Sequence, residues 1–128
     1  VVARVAMTAL GRDRVMAITD GTAGSGLPVG SMVPLGSHTI TVTEDACFLP
    51  DGTLAGSRLT MNGAFRVLMT RMGASLADAA HMCATSQARQ LGLTRTGAIA
   101  VGMAADIAVL TPDYRVVGTY VEGVPGPS

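Results

Sequence analysis

The segment Arg14–Thr19, with the sequence RVMAIT, constrains the fold of this 128-residue chain more than any other feature. It is apolar nearly throughout, which is typical of a β-strand that is buried on both faces of a parallel sheet. A parallel neighbour requires a crossover connection of about a dozen residues or more, and the sequence offers no such connection. We therefore expect the neighbouring strands to lie in another chain or in a segment that precedes residue 1.

An aspartate follows this strand directly and is the first candidate for chemistry. Asp20 precedes the loop Gly21–Gly26, GTAGSG, and an acid at the carboxyl end of a buried parallel strand is where barrel enzymes carry catalytic groups. An Asp-Gly pair is also a strong turn signal, although no strand of matching alternation follows it here. The loop lacks the Gly-Lys-Ser/Thr ending of a phosphate-binding loop and does not lead into a helix, so we interpret it as an ordinary loop.

The segment DGTLAGSRLTM, residues 51–61, is a second candidate. A strand-like stretch runs through small residues into the start of a helix. The main-chain amides of Leu54 to Ser57 would then lie near the mouth of any barrel, where they could bind a polar ligand. The alternative is structural, because Ser57 could simply cap the following helix.

Three helices are predicted, and each is followed by a glycine suited to the left-handed conformation of a helix end. The helices cover residues 2–10, 61–72 and 76–91. Ser75 and Asp78 have the spacing of a capping box at the start of the third helix. An internal break is expected near Thr85 or Ser86, because either residue could cap a new helix.

The remaining segments predict β-structure and loops. Residues 38–57 alternate between apolar and polar side chains, which indicates a strand pair that closes through the turn Pro50–Gly52. Residues 21–36 are rich in glycine and proline and predict an irregular loop. Three short apolar runs near the end of the chain predict strands at Ala98–Val101, Asp106–Leu110 and Arg115–Val121.

Charge and metal-ligand spacing exclude several classes of protein. Nine basic and nine acidic residues leave no net charge to attract nucleic acid or an anionic membrane. No run of about 18 apolar residues and no signal-peptide pattern is present. Cys47 and Cys83 form neither a zinc-site spacing nor a disulfide framework, so a reducing cytoplasm is the expected compartment. His38 and His81 lack a second ligand at metal spacing, and we interpret them as structural or surface residues.

Four segments together resemble the N-acetylglucosamine-6-phosphate deacetylases of the amidohydrolase superfamily, and they cover nearly the whole chain. The segment GTLAGS followed by LTM is specific to these deacetylases, whereas the tail pattern is shared by many amidohydrolases. The four segments are ITDGTAGSG, DGTLAGSRLTM, ASLADAAHMCATSQARQLGL and GAIAVGMAADIAVLTPDYRVVGTYVEGV.

The resemblance implies an α/β fold in which this chain is the C-terminal part of a (β/α)8 metal-dependent hydrolase barrel. Residues 1–96 would supply the last barrel strand, a β-hairpin excursion and the closing helices. Residues 97–128 would supply strands of a small β-sandwich domain. A segment before residue 1 would then supply the missing parallel strands.

The resemblance also implies deacetylation of N-acetylglucosamine 6-phosphate to glucosamine 6-phosphate and acetate. Asp20 would be the general acid/base, and Leu54, Ala55 and Gly56 would contact the sugar phosphate through their main-chain groups. A divalent metal, zinc or iron, would be held by residues of the missing N-terminal part. The isolated chain would therefore be inactive, and the complete enzyme would be a cytoplasmic homodimer.

Two departures and two alternatives accompany this interpretation. Gly21 stands where the family usually has alanine after the aspartate, and Gln87 stands where a proline is common. Another amidohydrolase, such as a deaminase or cyclic amidase, is one alternative, although the GTLAGS segment argues against it. The other alternative is a non-catalytic split module that assembles with a partner chain.

Overall fold

The structure, a computed structural model, describes residues 2–127, which fall into two units. One unit is Ile18–Met61, and the other joins residues 2–17 to residues 62–127. The boundary expected between residues 96 and 97 stays a prediction. No helix within residues 2–127 combines the length and the apolar character that are needed to cross a membrane.

An antiparallel meander forms most of the unit Ile18–Met61. Its strands pair in sequence order and are β1 (Met32–Leu35), β2 (His38–Val42), β3 (Ala46–Phe48) and β4 (Leu54–Ser57). The turn predicted at residues 50–52 is confirmed between β3 and β4, where the Gly52 N–H donates to the Leu49 carbonyl at 3.0 Å. The prediction of an irregular loop over residues 21–36 is wrong at β1, which is a strand. Pro34 argued against a strand in the sequence, but β1 is an edge strand, and an edge strand can accommodate a proline.

The core of this unit lies between the meander and the glycine-rich loop that follows Asp20. Ile40, Val42 and Cys47 are fully or almost fully buried. Gly24 is also buried, and a Cβ at this position would lie 2.7 Å from Cys47 Sγ and 2.9 Å from Val42 Cγ2. The loop can therefore pack onto the sheet because residue 24 has no side chain.

The predicted helices lie in the other unit, except that the second of them begins at Met61, the last residue of the unit Ile18–Met61. They are α1 (Val2–Leu10), α2 (Met61–Val67), α3 (Leu76–Ala80) and α4 (Ser86–Gln90), and π-helical turns continue α2 over Leu68–Met72 and join α3 to α4 over His81–Thr85. The capping box is confirmed, since Ser75 Oγ accepts the Asp78 N–H and donates to Asp78 Oδ2. The predicted break at Thr85 or Ser86 is wrong, because both residues are helical and the π-turn carries the chain through.

The helices bury a core of Leu68, Ala79 and Met82, with Met7 among the side chains packed against it. Val2 is 83% exposed and Val5 is also exposed, whereas Met7, on the other side of the helix, makes the contact. Apolar periodicity shows that a helix has an apolar face, but not which neighbours cover it.

The predicted strand Arg14–Thr19 is not a paired strand within residues 2–127. Arg14 ends a 3-10 turn, Val15 is extended, and the Ala17 N–H donates to the Met82 carbonyl at 2.8 Å instead of to another strand. Val15 and Ala17 pack on the helical core, whereas Ile18 is 66% exposed. The parallel neighbours were expected outside residues 2–127, so the pairing of this segment and its burial on both faces stay predictions.

A second antiparallel sheet lies near the end of the chain. Its strands are β5 (Ile107–Leu110), β6 (Val116–Val121) and β7 (Val124–Pro125), paired in that order. The strand predicted at Ala98–Val101 is wrong. The residues lie between Gly97 and Gly102, both at positive φ, and Ile99 is 88% exposed. Two turns this close together leave too little extended chain for pairing.

Candidate active site

Asp20 lies at the end of the extended segment and its side chain is exposed. Its φ is 50°, in the left-handed region that aspartate adopts more readily than most residues with a Cβ. The Asp20 carbonyl accepts the Ser57 N–H at 2.9 Å, and Gly21 forms a parallel bridge with Ser57. The main chain of the candidate acid is therefore held against the end of β4.

Both sequence-predicted parts of the site thus come together in one unit. Leu54, Ala55 and Gly56 are residues of β4, which ends at Ser57 beside Asp20. Leu54 is 63% exposed, whereas Ala55 packs against the core of the meander. Among these three residues only Leu54 is exposed, and it lies at the end of β4 away from Ser57. Ala55 and Gly56, nearer to Asp20, are half-buried.

Gly56 has a structural explanation besides the functional one. Its φ is 112°, which side chains disfavour, and a Cβ there would overlap Thr22 Cγ2 and lie 3.1 Å from the Asp20 carbonyl oxygen. The absence of a side chain at residue 56 lets the loop after Asp20 approach β4 closely.

Sequence reasoning missed Ser25, which joins the same two segments. Its hydroxyl accepts the Thr22 N–H at 3.0 Å and donates to the Ser57 carbonyl at 2.9 Å. Nothing in the local sequence indicates the bond between Ser25 and Ser57. The Ser57 hydroxyl accepts the Leu59 N–H at 2.7 Å, so it stabilises the turn before α2.

Arg58 was also missed, and it fixes the other side of β4. Its guanidinium donates to the carbonyls of Thr43 at 2.8 Å, Glu44 at 3.3 Å and Leu27 at 3.3 Å. No carboxylate pairs with Arg58 within the described part of the chain. A cation that binds three carbonyls acts here as a cross-link between loops.

The described residues do not form a metal site by themselves. No group of three or more His, Cys, Asp or Glu side chains within residues 2–127 could hold a metal ion. His81 Nε2 lies 3.1 Å from Asp13 Oδ1, and Asp13 also lies near Arg89. Burial raises the pKa of the Cys83 thiol, which disfavours the thiolate form that a metal or a nucleophilic reaction requires. The described residues therefore do not supply a complete metal site on their own.

Comparisons with known proteins give a consistent result. Residues 10–125 match the model of the amidohydrolase family. The chain is 34% identical to the N-acetylglucosamine-6-phosphate deacetylase of Bacillus subtilis (strain 168), over 94% of this chain and 31% of that protein. It is 31% identical to the N-acetylgalactosamine-6-phosphate deacetylase of Shewanella sp. (strain ANA-3), over 94% of this chain and 30% of that protein.

Solved structures agree with the sequence comparison. The crystal structure of N-acetylglucosamine-6-phosphate deacetylase from Pasteurella multocida matches with a TM-score of 0.90 at 28% identity, over 98% of this chain and 33% of that chain. The likeness confirms the predicted α/β class and its relation to amidohydrolase barrels. The chain spans about a third of the length of each of these proteins.

Proposed function

The chain belongs to the amidohydrolase family, and we propose that it is the C-terminal part of an enzyme that deacetylates N-acetylglucosamine 6-phosphate. The observation that carries this proposal is the hydrogen bond between Asp20 and Ser57, which places the candidate acid beside the Leu54–Ser57 segment. Similarity to the Bacillus subtilis and Pasteurella multocida deacetylases supports the reaction type. The products would be glucosamine 6-phosphate and acetate.

Asp20 would carry the proton in this hydrolysis. Its carboxylate would accept a proton from the attacking water while the water oxygen bonds to the acetamide carbonyl carbon. It would then donate that proton to the nitrogen as the C–N bond breaks, which releases the amine and acetate. An exposed acid on a main chain fixed by hydrogen bonds suits this exchange, and such catalysis contributes about 10²–10⁴ in rate.

The main chain of Leu54, Ala55 and Gly56 would bind the sugar phosphate beside this acid. The position of β4 at the edge of its sheet supports that role, because among the described residues only β3 pairs with it in the sheet. Amidohydrolases are generally metal-dependent. The residues described do not fit a metal site, so we propose that a divalent ion, zinc or iron, is held by a segment outside this chain.

N-acetylgalactosamine 6-phosphate is a second candidate substrate. The Shewanella relative, named for this sugar, has an identity to the chain close to that of the Bacillus relative. The two sugars differ in the configuration of one ring hydroxyl. Main-chain groups can distinguish the two sugars only through the position of that hydroxyl. We propose the glucosamine sugar because the GTLAGS segment resembles that of the glucosamine enzymes.

The test requires the longest natural reading frame that contains the chain. Release of acetate is measured with both N-acetylhexosamine 6-phosphates and with a cyclic amide. We expect turnover of the glucosamine sugar, and a loss in kcat of about 10²–10⁴ for Asp20→Asn with little change in KM. Asp45→Asn is the matched control, since Asp45 is an exposed acid in the turn between β2 and β3.

Two results would refute the proposal. One is a wild-type protein that leaves both sugars intact, and the other is an Asp20→Asn variant as active as Asp45→Asn. The isolated 128-residue chain is expected to show no turnover.

We also propose a cytoplasmic homodimer, which light scattering of the complete protein would test. Both cysteines are free thiols, which suits a reducing compartment.

A further inference from the structure

Gly21, next to the candidate acid, is explained by space and not by backbone conformation. Its φ lies outside the left-handed region in which other glycines of the chain are found. A Cβ at this position would nevertheless lie 2.8 Å from Ser25 Oγ and 3.4 Å from Thr19 Oγ1. Real Cβ atoms do not approach an oxygen to 2.8 Å, so a side chain at residue 21 would displace the Ser25 hydroxyl.

That hydroxyl completes the attachment of the Asp20 loop to β4. The Ser57 N–H donates to the Asp20 carbonyl at 2.9 Å, and the Ser57 carbonyl accepts the Ser25 hydroxyl at 2.9 Å. The same hydroxyl accepts the Thr22 N–H at 3.0 Å. Both polar main-chain groups of Ser57 are therefore bound by the loop, one by Asp20 and one by Ser25.

The second attachment is important because Asp20 has a φ of 50°. A residue with a Cβ persists in this region only when its surroundings hold it there. Without the Ser25 hydroxyl, the loop would keep the Asp20 bond and the Gly21 bridge to Ser57 but would lose its side-chain contact with the Ser57 carbonyl. Two bonds to one peptide segment fix both the position and the orientation of the loop.

We propose that Ser25 is a positioning residue for Asp20, and that Gly21 is required because it leaves room for the Ser25 hydroxyl. The proposal deepens the proposed function and rests on it for its catalytic consequence. Ser25 would not contact substrate. It would act through the main chain of Thr22 and Ser57 to hold the acid in the direction that proton transfer needs.

The test is a double-mutant cycle with Gly21→Ala, Ser25→Ala and the double variant, made in the complete protein. Hydrogen exchange of the Thr22 amide reports on the loop, and kcat and KM report on the reaction. Each single change is expected to raise exchange about threefold to tenfold, the effect of losing one net hydrogen bond. We expect kcat to fall by about the same factor with KM unchanged.

The double variant distinguishes coupling from two independent defects. Because either single change removes the same hydroxyl contact, the double variant should be no worse than either one. Losses that multiply in the double variant would overturn the proposal. So would faster exchange with an unchanged kcat, because the role of Ser25 would then be structural only.

Two control variants and one separate outcome complete the design. Ser37→Ala removes an exposed turn hydroxyl that makes no hydrogen bond within residues 2–127, and Gly118→Ala adds a Cβ whose nearest neighbour would be 3.9 Å away. Both should leave exchange and kcat unchanged. A wild-type protein without deacetylase activity would refute the proposed function, whereas the exchange cycle would still decide whether Ser25 and Gly21 fix the Asp20 loop together.

Discussion

Replacing Gly56 by alanine should strongly destabilise the unit that carries the candidate site. A φ of 112° in a residue with a Cβ costs about 1–3 kcal/mol. The new methyl would also overlap Thr22 Cγ2 and lie 3.1 Å from the Asp20 carbonyl oxygen, and overpacking of this kind costs about 1–3 kcal/mol. We therefore expect Gly56→Ala to lose roughly 2–6 kcal/mol in urea unfolding followed by circular dichroism.

Two further variants separate the backbone cost from the overlap. Gly52 has a φ of 85°, and a Cβ there would meet no other described atom within 4 Å, so Gly52→Ala measures the backbone cost alone. Thr22→Ala removes the closest atom and should reduce the cost of Gly56→Ala by about 1–2 kcal/mol when the two changes are combined. If Gly56→Ala cost no more than Gly52→Ala, the close approach of the loop to β4 would be refuted.

Three other predictions follow from polar and ionisable groups. The hydroxyl of Ser75 and then the guanidinium of Arg12 hold the pKa of Asp78 below its usual value, so this carboxylate stabilises the fold near neutral pH. Its contribution is lost as the pH falls through that lowered pKa. The Asp78→Asn variant should therefore lose less thermal stability than the wild type when the pH is lowered. Burial raises the pKa of Cys83, so mass spectrometry should show slower alkylation at neutral pH than in an unfolded peptide; equal rates would contradict this. The Gln87 amide donates to two main-chain carbonyls, so Gln87→Glu should lower the free energy of unfolding in urea by about 2–3 kcal/mol at pH 7. Part of this stability should return in acid, because the two carbonyls raise the pKa of the new carboxyl group and keep it protonated there.

Local signals in the sequence predicted the ends of helices accurately. Gly11 and Gly73 have positive φ at the ends of α1 and of the π-helical turn after α2, Gly73 in the left-handed conformation, and Ser75 caps α3. Each signal depends on a residue and its immediate neighbours, so it can be identified without knowledge of the fold. The covered face of α1 and the pairing of Arg14–Thr19 depend on distant neighbours, so no local signal determines them.

The candidate site shows the same division. Asp20 and Gly56 were singled out from their motifs, and the structure brings their segments together. Ser25 and Arg58 were missed because they bind main-chain carbonyls far away in the sequence. A carbonyl acceptor has no side-chain identity, so such a contact has no sequence signature.

The topology of the meander also determines the order in which this unit can fold. Each strand from β1 to β4 pairs with the strand next to it in the sequence, and hairpins of this kind close within about 1–10 μs. The contact between Asp20 and Ser57 spans the whole meander, so its closure carries the entropy of a much longer loop. We expect the sheet to form first and the acid to be placed last, so that newly made chains acquire the sheet before they acquire the site.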